Sequence, residues 1–350
     1  MAFRPAGRFS SYNATHTRPE SRILNVPSSA KFAMVATTGN ERHLRAMKQI
    51  GVDHVVHYAM DDLPESADEL RAIRRRYADF DLAWSIAESG PAIDRIVLAK
   101  EGWQAQTERY KRIIEVLGDL GVGVVAYNFM PQVSEDAMVI RTDLDAKARG
   151  GARTSRFALA DIGPSTMPHE EKPIPRDEMW RNLERFLDAV LPVAEAAGVK
   201  MAMHPDDPPM SPLCGLERIM DKVESFERLL ALSPSPSNAV TFCAGCFGEL
   251  GVDVVALFEK FIDRVPYVHV RNIEGGPTDF METFPDEGRI DLPGLVDAFE
   301  RRGYGGFVRP DHAPLLATDG DDMPAGYGIQ GHIFTIGYMR GLQQATARRR

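Results

Sequence analysis

The sequence predicts an α/β protein built as a (β/α)8 TIM barrel. Three observations point there. Eight short runs rich in Val and aromatic residues alternate with segments of helical periodicity. The runs are bounded by Gly, Pro or Asp, as buried parallel strands are. Four side chains of metal-ligand type, His204, Cys243, His269 and Asp311, stand one apiece at the ends of four consecutive runs, 39, 26 and 42 residues apart. Each gap is about one strand plus one helix, and side chains at the carboxyl ends of neighbouring barrel strands converge on one point.

The eight runs are KFAMVA (31–36), HVVHYA (54–59), LAWSIA (82–87), VGVVAYNF (122–129), KMAMHP (200–205), AVTFCA (239–244), PYVHVRN (266–272) and GFVRPD (306–311). Helical patterns follow them, among others over 65–78, 107–117, 177–197, 216–230, 252–262 and 292–302, and 331–347 closes the chain. Pro192 should kink or restart the helix that contains it. A doubly wound sheet is the alternative architecture, but no G-x-G-x-x-G follows the first run, which weakens a dinucleotide-binding version of it.

Two segments fall outside the βα rhythm. Residues 1–30 are polar and carry Pro5, Pro19 and Pro27, which suggests an extended or partly disordered N-terminal arm. Residues 31–350 then form a single catalytic barrel. Within it, the connection 130–176 after the fourth strand is long and rich in Gly, Pro and charge. Such a loop is either a functional lid over the catalytic face or a disordered insertion.

Composition excludes several classes. With 44% hydrophobic and 26% charged residues the chain has an ordinary soluble balance. A net charge of -9 leaves no basic footprint for nucleic acid. The clustered positive charges, Arg74–Arg76 and Arg348–Arg350, read as solvated surface or a frayed end. Three cysteines in 350 residues make no disulfide scaffold. Cys243 and Cys246 match the C-x-x-C redox spacing, but the thioredoxin motif opens a helix in the first βαβ unit and this pair lies late. No apolar run is long enough for a membrane span, and the N-terminus lacks the apolar core of a secretory signal. A reducing cytoplasm is the expected compartment.

Strand side chains alternate, so residues two apart share a face. His269 points with Arg271, Arg309 with Asp311, Thr241 with Cys243 and Ala202 with His204; Trp84, Ile86 and Glu88 also share one parity. If these faces line the barrel, the upper layer holds charges that are costly to bury unless paired or metal-bound. Two imidazoles, a thiolate and a carboxylate suit a divalent ion, and their softness alone favours zinc. Asp206 or Asp207, in the stiff loop His204-Pro-Asp-Asp-Pro-Pro209, could orient a ligand. His312 follows Asp311 directly and is a natural general acid or base. Tyr327, in PAGYG after the last strand, could donate a proton or close over a ligand.

These residues resemble the barrel-type mannonate dehydratases. The matching blocks are WSIAESGPAID (84–94), YNFMP (127–131) with RTD (141–143), MAMHPDDPP (201–209), FCAGCFG (242–248), VHVRN (268–272) and VRPDH (308–312). Similarity spans about 82–345. The resemblance implies dehydration of D-mannonate to 2-keto-3-deoxy-D-gluconate. It implies a divalent metal, usually manganese, on His204, Cys243, His269 and Asp311, with zinc, iron(II) or cobalt(II) as alternatives. It implies catalytic roles for His312 and Tyr327. Arg271 and Arg309 are expected to fix the substrate carboxylate, with Asn272, Asn128 and Glu88 completing the substrate-binding set. A homodimer is also implied.

The chain departs from the family pattern in its wall. The Asp-Trp pair after YNFMP is missing. The F-x-E-x-x-H-x-x-G-x-x-D block becomes Phe280, Glu282, Pro285, Gly288 and Asp291, without its histidine. Cys-Thr-Gly-Ser reads Cys243-Ala244-Gly245-Cys246, and RPDHG reads RPDHA. Alternative readings are a related aldonic-acid dehydratase, a metal-dependent sugar isomerase or epimerase, and a non-catalytic sugar-acid-binding barrel. The acidic charge argues against a nucleic-acid phosphodiesterase.

Overall fold

The barrel strands form where the apolar runs predicted them. The computed structural model describes residues 30–58, 62–132, 139–163, 172–320 and 323–349. The barrel is made of β1 (Lys31–Ala36), β2 (His54–Tyr58), β3 (Ala83–Glu88), β4 (Val124–Tyr127), β7 (Lys200–Met203), β8 (Asn238–Cys243), β9 (Tyr267–Val270) and β12 (Phe307–Pro310). All pairings are parallel, and the sheet closes in the order β1-β12-β9-β8-β7-β4-β3-β2. The expected arm, apart from Ala30, lies outside the described residues.

The outer layer contains α1 (Glu41–Gln49), α2 (Ala67–Ala78), α3 (Asp94–Val97), α4 (Trp103–Asp119), α5 (Arg176–Ala196), α6 (Val223–Leu232), α7 (Ala244–Glu249), α8 (Val254–Phe261), α9 (Leu292–Arg302) and α10 (Ile329–Ala347). Local chemistry sets their ends. The Asp291 carboxylate caps α9 by accepting from the Gly294 amide at 2.9 Å, and Gly303 ends it at φ 62°. Between those ends Leu295, Val296 and Phe299 turn one face into the core. Among the described residues, no helix is long and apolar enough to cross a membrane.

Two helix expectations differ from the structure. The helix expected over 216–230 starts only at Val223. Before it, the buried Asp206 carboxylate accepts the Met220 amide at 2.8 Å and the Ser211 hydroxyl accepts the Arg218 amide at 2.8 Å. Those bonds hold 216–222 as irregular chain against the proline-rich loop. Conversely, α5 runs through Pro192 without restarting. The large apolar face of α5, from Met179 to Ala194, is buried and outweighs one missing hydrogen bond.

Segment 130–176 is not a structureless insertion where it is described. It supplies β5 (Asp143–Lys147) and β6 (Arg153–Ala158). They join β10 (Asn272–Gly276) and β11 (Asp279–Thr283), a hairpin inserted after β9, in a four-stranded sheet ordered β10-β11-β6-β5. The sheet is antiparallel throughout, with Phe280 opposite Phe157. Residues 133–138 and 164–171 of this segment lie outside the described residues.

The barrel interior is narrow and small-chained at mid-height. Ala33, Val56, Ile86, Val124, Ala126, Ala202, Ala239 and Tyr267 pack there as one cluster. Going up each strand by two residues leads from this apolar plug to Tyr58, Glu88, Asn128, His204 and His269. Trp84 is an exception to the parity expected for it: it packs in the outer layer, not with Ile86. Val55 pairs with Trp84 but Val56 with Ile86, so one extra residue in β3 breaks the register and turns Trp84 outward.

Candidate metal centre and active site

The four metal-ligand candidates meet at the carboxyl ends of β7, β8, β9 and β12. His204 Nε2 lies 3.2 Å from His269 Nδ1. Asp311 places Oδ1 3.8 Å from His269 Nδ1 and Oδ2 3.6 Å from Cys243 Sγ. Ligand atoms around a zinc-sized ion at 2.0–2.3 Å stand roughly 3.3–3.8 Å apart in a tetrahedron. Cys243, His269 and Asp311 are all buried.

Charge in this layer points to a cation. Burial and Arg309 would lower the His269 imidazole, yet Glu88 and Asp311 outweigh them and push it up to about 9. Burial would raise the Cys243 thiol, but the hydrogen bond with Cys246 and the Arg271 charge hold it well below its usual range. Burial likewise opposes ionisation of Asp311, and the positive charge of His312, Arg309 and His269 overcomes it. The donor set therefore gathers negative charge at one buried point. His269 Nε2, 3.3 Å from Glu88 Oε2, makes no hydrogen bond there. These residues fit a divalent ion of the borderline class.

Beside the ligand set lies a pocket of about 420 Å³, part of it open to solvent. His204, His269, Asp311, Arg309, Glu88, Asn128, His312 and Tyr327 line it, together with Tyr58, Ser89, Ala126, Val139 and Asp207. Arg309 donates through Nη2 to Glu88 at 2.6 Å and forms an ion pair with Asp311 at 3.0 Å, while its Nε has no hydrogen-bond partner. Glu88 accepts a second bond from the Tyr267 hydroxyl at 2.6 Å.

His312 and Tyr327 come together at the pocket edge. Tyr327 Oη is 3.1 Å from His312 Nε2. Gly326 makes this possible: it adopts φ +88°, and a Cβ there would stand 2.9 Å from the His312 ring. His312 Nδ1 is held 2.6 Å from Glu282 Oε1. Burial disfavours the imidazolium, but Glu282 and Asp311 raise the His312 pKa above its ordinary value. Burial keeps the Tyr327 phenol well above its usual range, so it is protonated at neutral pH.

The remaining two substrate-binding candidates are not brought to the pocket lining. Arg271 is sealed beneath it, donating to Asp207 at 2.9 Å, Glu282 at 3.0 Å and Glu249 at 2.5 Å. Asn272 spends its amide on backbone: it accepts from Ile273 and Ile290 at 2.9 Å each and donates to the Ile290 carbonyl at 3.0 Å. Both organise the base of the β10–β11 hairpin. Asp206 and Asp207 also act differently from the expected ligand orienters. Asp206 accepts from Met220, and Asp207 accepts from Arg141 through both oxygens, at 2.7 and 3.0 Å. His204 Nδ1 instead faces the Pro205 carbonyl at 2.6 Å.

The sequence carries little sign of the buried ionic network behind His312. Arg141 bridges Asp207 and Glu282, and the Ser155 hydroxyl donates to Glu282 Oε2 at 2.6 Å. Arg141, Asp207, Arg271 and Glu282 are charges with almost no solvent contact. Burial and the Asp207 charge hold the Glu249 carboxyl beside them well above its usual range. Arg141 and Glu282 lay inside noted blocks; Ser155 and Glu249 carried no sequence signal, and Tyr58 was visible only by its parity on β2.

Comparisons with known proteins identify the family. The family model described as "UxuA: D-mannonate dehydratase (UxuA)" matches residues 32–170 and 166–350. Mannonate dehydratase 1 of Bacillus licheniformis is 32% identical over 339 residues, covering 85% of this chain and 90% of that protein. Mannonate dehydratase of Bacillus subtilis is 32% identical over 342 residues, covering 86% and 92%. The crystal structure of mannonate dehydratase from Streptococcus suis superposes with a TM-score of 0.83 at 30% identity, covering 91% of this chain and 94% of that one. A 3-keto-D-glucoside 4-epimerase from E. coli, at 13% identity and a TM-score of 0.59, shares the fold alone. The chain belongs to the mannonate dehydratase family.

Proposed function

We propose that the protein is a hydro-lyase that dehydrates D-mannonate to 2-keto-3-deoxy-D-gluconate. The observation that carries the reading is the juxtaposition, in one pocket, of the His204–Cys243–His269–Asp311 set with the His312–Tyr327 pair. Dehydration of an aldonic acid removes the C2 proton and the C3 hydroxyl. It needs a base, an acid and stabilisation of the carboxylate-derived enolate.

His204, Cys243, His269 and Asp311 would hold the divalent ion. We assign manganese from the family resemblance. When bound, the ion supplies positive charge against substrate oxygens as negative charge develops. Arg309 orients the substrate carboxylate through its unpartnered Nε, with its other nitrogens fixed by Glu88, Asp311 and the Pro310 carbonyl. His312 and Tyr327 form the acid–base pair. Glu282 holds His312 Nδ1, so Nε2 faces the pocket and exchanges its proton with the Tyr327 hydroxyl or with substrate. Asn128, Ser89 and Tyr58 are left on the wall for substrate hydroxyls. The three cysteines are free thiols, which suits the reducing cytoplasm where we place the protein.

Product analysis tests the reading. Incubation with D-mannonate and manganese should give the 2-keto-3-deoxy acid and one water. Formation of a ketose or a C2 epimer instead would overturn dehydration in favour of isomerase or epimerase chemistry.

A further inference from the structure

One sequence feature has no part in the dehydration: the second cysteine of the C-x-x-C. Cys243 is the last residue of β8 and the N-cap of α7, and Cys246 lies in the first turn of that helix. The Cys246 amide donates to Cys243 Sγ at 3.5 Å. The two sulfurs and a His204 ring nitrogen lie within 4.8 Å of one another. Both cysteines are buried. Arg271 Nη2 donates to Cys246 Sγ at 3.3 Å.

We infer that Cys243 and Cys246 form a reversible oxidation site that competes with metal binding. The oxidant class is a hydroperoxide. Cys243 thiolate attacks one peroxide oxygen: an S–O bond forms, the O–O bond breaks, and hydroxide leaves. Cys246 then attacks the Cys243 sulfenic sulfur; the S–S bond forms, the S–O bond breaks, and the hydroxyl departs as water with the Cys246 proton. Two electrons pass from the sulfur pair to peroxide; the hydroxide takes up the proton that Cys243 gave to solvent on ionising, and two waters result. A dithiol reverses the step by exchange. Peroxide is little larger than water, and His204, His269 and Asp311, which surround Cys243, line the open pocket. A thiolate bound to a divalent ion has its electron pair engaged, so metal and oxidation exclude each other. The consequence for metal rests on the ligand assignment above; the disulfide itself does not.

Full-length protein, stripped with EDTA or loaded with manganese, is exposed to hydrogen peroxide, alkylated and mapped by mass spectrometry. In stripped protein the peptide carrying Cys243 and Cys246 should lose two hydrogens and resist alkylation, while Cys214 is alkylated. Dithiothreitol should restore both thiols and metal binding. Manganese should slow the conversion at least tenfold. Cys246→Ser and Cys246→Ala, checked for folding by circular dichroism, should form no disulfide and carry Cys243 on to sulfinic acid. Wild-type protein that gives Cys243 sulfinic acid as the variants do, or only intermolecular disulfides, would overturn the inference. A disulfide that forms equally fast with metal bound would overturn the competition. Neither result depends on turnover of D-mannonate.

Discussion

Glu282 Oε1 sits 2.6 Å from His312 Nδ1, although the two residues come from different loops of the barrel. Glu282 lies on β11 of the small antiparallel sheet, whereas His312 follows barrel strand β12. Arg141 and Arg271 approach the same carboxylate oxygen at 2.8 and 3.0 Å. Their charge and that of His312 hold Glu282 ionised against the cost of burial. The sheet thus fixes which nitrogen of His312 faces Tyr327 at the pocket edge.

Glu282→Gln should therefore damage turnover more than binding. The amide keeps the shape but cannot anchor an imidazolium or neutralise two guanidinium groups. Partners of this kind typically account for about 10–100-fold in activity. Steady-state kinetics should show kcat reduced by that factor with KM changed by less than about threefold. Equal losses in both would mean that Glu282 acts on substrate binding instead.

At Gly245 a methyl group has no room. A Cβ there would stand 2.0 Å from Arg271 Nε, and Arg271 is pinned by Asp207, Glu249 and Glu282. Gly245→Ala should cost at least about 1–3 kcal/mol of overpacking. Thermal unfolding should show Tm lowered by several degrees. Gly123→Ala, where nothing lies within 4 Å of the added carbon, should stay within about 0.5 kcal/mol of the parent.

Acid should destabilise the fold through buried neutral histidines. Burial lowers His43 and His57 from an ordinary 6.5 to about 4. Between those values the unfolded chain binds protons that the folded chain refuses. Stability therefore falls as pH drops from about 6.5 to about 4 and is insensitive to these groups above that window. Each contributes at most about 3 kcal/mol. In a Tm-against-pH series His43→Gln should flatten the slope in this window; an unchanged slope would remove His43 from the account.

The barrel was legible because strands buried on both faces read as plain apolar runs, and parity alone carried the interior upward to His204, Cys243, His269, Arg309 and Asp311. The same parity failed at Trp84, where one extra residue in β3 reverses the face without any mark in composition. The small sheet was hidden for a different reason. The strand Asp143–Lys147 is charged and exposed, and its partner β6 pairs on its other side with β11, more than a hundred residues away. The chemistry-bearing types were readable, but Arg271 and Asn272 face inward to protein partners, and only the folded hairpin shows what they satisfy.

In the proposed mechanism dehydration depends on the four-ligand metal centre. That dependence is tested most directly by measuring bound manganese and 2-keto-3-deoxy acid formation from D-mannonate on the same samples, for the parent protein, the EDTA-treated protein and His204→Ala. The account predicts product in proportion to bound ion, with both nearly absent after EDTA or in His204→Ala and both restored to the parent on adding manganese. Undiminished product from metal-stripped protein would contradict it.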